Sequence, residues 1–255
     1  MANSRDWVCV RLASYEEDKE GEYLTKLYRG RTGLLNNTTF ALLAPDGKTL
    51  LAPSGRGPQF TLGKRGNPDQ AAAPEDVAAF SKLLAAKAQD YDSKGELALL
   101  PEALDVRRAL VVAACDNQPL VVMYAEAEES RRRAKAQLAE LAWSEEFLGR
   151  MQYIVATSRE ELSQIAGLPE GDFVAVVEPN QFGLEAKALV HLARMDKKTD
   201  FAKLMRQGLK SYTRVDLPSR EHRQQGRRAK ATWESVMPVT DEGKPPRRGE
   251  APPRD

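Results

Sequence analysis

Cys9 lies between Val8 and Val10 in the run 7–13, with Arg11 on the same face of an alternating pattern. A guanidinium beside a thiol favours the thiolate, the form that attacks peroxides and disulfides, so Cys9 is the one catalytic candidate, as a peroxidatic or sensing cysteine. A thiol in mid-strand gains nothing from a helix dipole, and the plainer reading of Cys9 is a small buried hydrophobe. Cys115 closes an apolar run that reads as a helix, the end at which the dipole disfavours a negative sulfur. It too reads as structural.

The other polar groups form no constellation with a chemistry of its own. Glu126, Glu128 and Glu129, with Asp116, carry enough carboxylate for an acid–base or metal site, but acidic residues leading a helix complement its dipole. His191 alternates with Val190 and Leu192 and is expected to face solvent, while His222 belongs to a charged tail. Two histidines so far apart, without Cys-His-Asp spacing, support neither a triad nor a zinc site. Gly55-Arg56-Gly57-Pro58 and Gly63-Lys64-Arg65-Gly66 lack the strand-to-helix spacing of a phosphate cradle and read as flexible loop. Arg131, Arg132 and Arg133 spread around a helix start as a solvated face. No cofactor and no metal are implied.

The elements that hold these groups read as mixed α/β. A strand is expected over 7–13, a short helix over 22–28, and a hairpin about Pro45-Asp46-Gly47, where a type I′ turn needs positive φ at both central positions. Residues 53–70 read as a loop, and a helix follows from Pro74 to about Tyr91. Beyond it come a helix over 104–114 and a near-continuous apolar strand over 120–125, the pattern of a strand covered on both faces. A helix is expected over 128–142, and Ser144 as the cap of another running to Gly149. The series continues with a strand over 151–156, a helix over 159–165, strands over 173–177 and 186–192, and a closing helix marked by Phe201, Leu204, Met205 and Leu209.

With 38 basic and 37 acidic residues the chain has no global field that would select a polyanion or an anionic membrane. No stretch of eighteen apolar residues is present, so no membrane-spanning helix is expected. Residues 214–255 are locally basic, with ten Lys or Arg against seven Asp or Glu. A basic helix is expected over 220–230, with Ala229, Trp233 and Val236 as a short apolar stripe. After Pro238 the composition reads as disordered. Aromatic interleaving and a nucleic-acid module are absent from the tail, so nucleic acid is not the expected partner and a protein is.

The two halves repeat each other: 149–158 parallels 4–14, 173–179 parallels 40–45, and both run strand, helix, hairpin, final helix. Together with the segment Asn117-Gln118-Pro119-Leu120-Val121-Val122-Met123-Tyr124-Ala125, this order resembles the thioredoxin-like fold, and within it tandem bacterial proteins without assigned chemistry. The resemblance implies two thioredoxin-like units, each a mixed sheet flanked by helices, the first lacking its N-terminal strand and helices. The domains are then 1–92, a linker 93–102, a complete unit 103–213 and the tail 214–255.

The family carries a Cys-x-x-Cys after its central strand and a cis-proline opening its hairpin. Here those positions hold Glu126-Ala127-Glu128-Glu129-Ser130 and Gly171-Asp172, and the first unit keeps neither hallmark, with Asn37-Thr38 at its proline position. The expectation is a non-catalytic, cytoplasmic binding or structural module. The alternative is a thiol-disulfide oxidoreductase whose active cysteines lie upstream of Met1, in which case an export signal there would place it in the cell envelope. A third reading is an adaptor working through the tail.

Overall fold

The computed structural model describes residues 7, 8, 10, 18–27, 41–55, 57–64, 71–91, 99–193, 195 and 199–231. The chain divides into two compact units, residues 1–94 with 233–255, and residues 95–232. Residues 214–231 belong with the second unit, and so do residues 99–102, where Leu100 is buried and Glu102 forms a parallel bridge with Tyr153.

In unit 1, Trp7, Val8 and Val10, expected in a strand, carry no strand pairing, and Val8 and Val10 are exposed. Helix α1 spans Asp18–Leu27. The hairpin exists as a single antiparallel bridge between Leu43 and Leu50, but its turn is not type I′. Gly47 N–H donates to Ala44 O at 2.9 Å, Pro45 and Asp46 are the central residues, and only Gly47 of the three has positive φ, at 65°. Pro45 presets the first central φ for a type I turn, and the left-handed glycine follows it. The Asp46 carboxylate then accepts from Lys48 N at 2.8 Å and Thr49 N at 2.9 Å. The loop expected over 53–70 contains a short helix, α2 (Pro58–Thr61), started by Pro58 at its first position. Helix α3 (Pro74–Ala88) starts the same way at Pro74.

Unit 2 is a five-stranded mixed sheet with helices on both faces. It opens with α4 (Val106–Asp116), capped by the Asp105 carboxylate on Arg108 N at 2.8 Å and ended by Asn117 at φ 53°. Strand β1 (Leu120–Tyr124) is buried along its whole length. Then come α5 (Glu128–Ala142), β2 (Gln152–Ala156), β3 (Ile165–Ala166), β4 (Phe173–Pro179), β5 (Ala186–Ala193), α6 (Phe201–Ser211) and α7 (Ser219–Arg228). The strand order is β2-β1-β4-β5-β3. β1 runs parallel to β2 and antiparallel to β4, which pairs antiparallel with β5.

Alternation along the strands separates two cores. Val121 and Met123 with Val174 and Val176 meet α5 and α6, while Leu120, Val122, Phe173, Ala175 and Val177 meet α4. Each large side chain removed from water in this way contributes about 1.5–3 kcal/mol, which is what holds the central strands in place. Two helices expected from the sequence are shorter or absent. Ser144 does not cap a helix: its Oγ donates back to Leu141 O at 2.7 Å, and turns run to Arg150 while Phe147 drops into the core. The helix expected over 159–165 is a single 3-10 turn, Glu160–Leu162, ended by β3.

Candidate functional site

At the carboxyl end of β1 the chain passes from Tyr124 into α5. The Tyr124 and Phe173 rings have centroids 6.1 Å apart, and the Arg159 guanidinium sits 5.2 Å and 5.3 Å from them. Arg159 also donates to Pro169 O at 2.6 Å, so cation–π contact and hydrogen bond together lock the loop after β2 onto the sheet. Glu126 N–H donates to the Asp172 carboxylate at 2.9 Å, tying the start of α5 to the entry of β4. Glu128 pairs with Arg131 at 2.8 Å and Glu129 with Arg132 at 2.5 Å. These carboxylates are exposed and engaged along their own helix, and their arrangement steadies a junction without aiming two groups at a common point. Among the described residues no group of three His, Cys, Asp or Glu can hold a metal ion.

The opposite end of the sheet is built differently. The end of α4, the end of β4, the start of β5 and the connection from α6 to α7 enclose an open groove of about 840 Å³. Asn117, left-handed at the end of α4, is its centre. Its Nδ2 donates to Val215 O at 2.8 Å, and its Oδ1 accepts from Val215 N at 3.1 Å and from Tyr212 Oη at 3.0 Å. Glu178 stands opposite Lys187 in the β4–β5 ladder and pairs with it at 2.7 Å through Oε2, while its Oε1 accepts from Thr213 N at 3.1 Å. Partial burial, and next the Glu178 charge, push the Tyr212 phenol above its usual range. Behind Asn117, Gln152 Nε2 donates to Asp116 Oδ2 at 3.2 Å and Gln118 Oε1 at 2.9 Å, fixing the wall of the groove to β2. Gly183 closes the turn after β4 against α4. It has φ 66°, and a Cβ there would lie 2.5 Å from Val111 Cα.

Helix α7 rests on that turn through one polar side. His222 Nε2 lies 3.1 Å from Gln181 O, the His222 ring is 5.0 Å from Phe182, and Gln181 Nε2 donates to Gln225 Oε1 at 2.6 Å. No residue of α7 is buried.

The candidates from the sequence do not converge. Cys9 and Arg11 lie outside the described residues, as do Asn37, Thr38, Trp233 and Val236. Cys115 is exposed in the last turn of α4 rather than buried, at the end of β1 away from Glu126. His191 is exposed on β5 as expected, and His222 is on α7. Of the glycine loops, Lys64 hydrogen-bonds the buried Asp76 rather than facing a phosphate. Asn117 and Glu178 carry the groove, and local sequence singles out neither, because the partners that reveal them, Val215 and Thr213, are far along the chain. No family model, curated protein or solved structure matches the chain.

Proposed function

We propose that unit 2 is a thioredoxin-like domain without thiol chemistry and that the protein acts as a non-catalytic binding module. The observation that carries this reading is the junction after β1. Where that fold would present a cysteine thiolate to a disulfide, the chain has Glu126, whose N–H is taken by Asp172, followed by Glu128 and Glu129 in pairs with their own helix. A carboxylate at a helix start is stabilised by the dipole but cannot attack a disulfide. Strand order supports the same reading, since a parallel β1–β2 pair and an antiparallel β4–β5 hairpin share one sheet with α5 between the parallel strands. Cys115 offers no substitute, because it sits at a helix C-terminus, where a thiolate is disfavoured.

Insulin reduction driven by dithiothreitol or by a thioredoxin reductase system tests the proposal. The expected rate equals that of the reductant alone. Robust turnover that Cys9→Ser or Cys115→Ser abolishes would overturn it.

A further inference from the structure

The connection 213–217 forms one wall of the groove at the amino end of β1, and Asn117 and Glu178 hold it there by its main-chain atoms. Asn117 presents a side-chain amide to Val215 as a neighbouring strand would, one donor to the carbonyl and one acceptor to the N–H. Two residues earlier Glu178 accepts the Thr213 N–H. The side chains of Thr213, Arg214, Val215 and Asp216 are exposed, Val215 to 49%, so none of them anchors the segment. Recognition by main-chain hydrogen bonds is how extended peptides add to a sheet edge, and it is indifferent to most side chains. Between the half-buried Tyr212 and Leu217 the side chains of 213 to 216 are exposed, and α7, which touches the turn through His222 and Gln225, has no buried residue, so release of the segment exposes little apolar surface.

We propose that Asn117 and Glu178 dock an extended polypeptide of a partner protein through its main chain, and that residues 213–217, which form one wall of the groove, satisfy these two side chains in cis until such a segment displaces them. The proposal rests on the binding-module reading and supplies its site and class of partner. The requirement on the ligand is chemical: an extended segment with unblocked N–H groups two residues apart, one for Glu178 and one for Asn117, and little demand on the side chain between them.

The test uses the full chain and a fluorescein-labelled synthetic peptide with the sequence of residues 211–219, followed by anisotropy. Val215→Pro in the protein removes the N–H that Asn117 accepts and frees the Asn117 side chain for another segment. Because apparent affinity scales with the fraction of open protein, the variant is expected to bind the peptide about ten-fold or more tighter than the unaltered chain. Adding Asn117→Gly, which tolerates the left-handed φ, abolishes that binding. N-methylation of the peptide at the valine abolishes it as well, whereas alanine at its Arg214 or Asp216 position changes it less than about two-fold. Equal binding by Val215→Pro and the unaltered protein, or equal binding of the N-methylated peptide, overturns the proposal. If far-UV circular dichroism shows that Val215→Pro is unfolded, Thr213→Pro, which removes the N–H held by Glu178, decides by the same comparison. Turnover in the insulin assay would sink the non-catalytic reading and leave this result standing.

Discussion

Asn117 does two jobs that local sequence shows unequally. As a residue that tolerates left-handed φ it ends α4, and the run Asp116-Asn117-Gln118-Pro119 announces that stop. Its clamp on Tyr212 and Val215 joins residues 95 and 98 positions apart, and no local pattern records such a pairing. Asp46 shows the opposite case, a side chain whose environment is entirely local. Its hydrogen bonds from the Thr49 hydroxyl, Thr49 N and Lys48 N hold the carboxyl well below the usual range, at about 2. A depressed carboxyl stabilises the folded turn fully above its unfolded value of 3.8, and that contribution is lost as pH falls through about 2. Carboxyl NMR on the folded protein should therefore find the Asp46 midpoint near 2 and see it rise in Thr49→Val. A midpoint at the ordinary value would contradict the turn described above.

At the scale of elements, legibility followed burial and length. The all-apolar run that became β1, and the acidic start and apolar period that became α5, could be read because one-sided or two-sided burial dictates their residue types over several turns. What failed were short pieces decided by a neighbour: α2 inside a Pro- and Gly-rich stretch, the turns after Ser144 that serve Phe147, and the 3-10 turn cut off by β3. Gly208 is a further example, since in the sequence it only weakens α6. In the fold it lets α6 approach β4, and a Cβ there would run into the side chain of Val176, itself fully buried. Gly208→Ala improves intrinsic helix propensity by about 1 kcal/mol. Overpacking against the sheet costs about 1–3 kcal/mol and is expected to win, because Val176 is enclosed by the core and cannot yield. Urea unfolding should place the variant's midpoint below that of the unaltered chain. A higher midpoint would mean that the α6–β4 approach is looser than described.

Across the whole molecule, burial is distributed unevenly, and stability should be as well. Among the described residues Leu42 is the buried apolar side chain of unit 1, whereas unit 2 encloses both faces of β1 and β4. Within unit 2 the contrast recurs: α6 contributes Phe201, Leu204 and Met205 to the core, and the chain after it contributes no buried side chain through α7. Amides whose exchange requires little surface to be exposed open locally, and their rates respond weakly to denaturant. Three classes of exchange are therefore expected in a native-state urea series. Amides of β1 and β4 should be slowest and accelerate steeply with urea, those of α3 should exchange earlier, and Val215 N–H should exchange fast and almost independently of urea despite its bond to Asn117. The Val215 amide separates two accounts of the groove. If it accelerates with urea alongside β4, the connection is part of the cooperative core and cannot be displaced by a peptide; if it does not, the groove opens while the sheet beneath it stays folded.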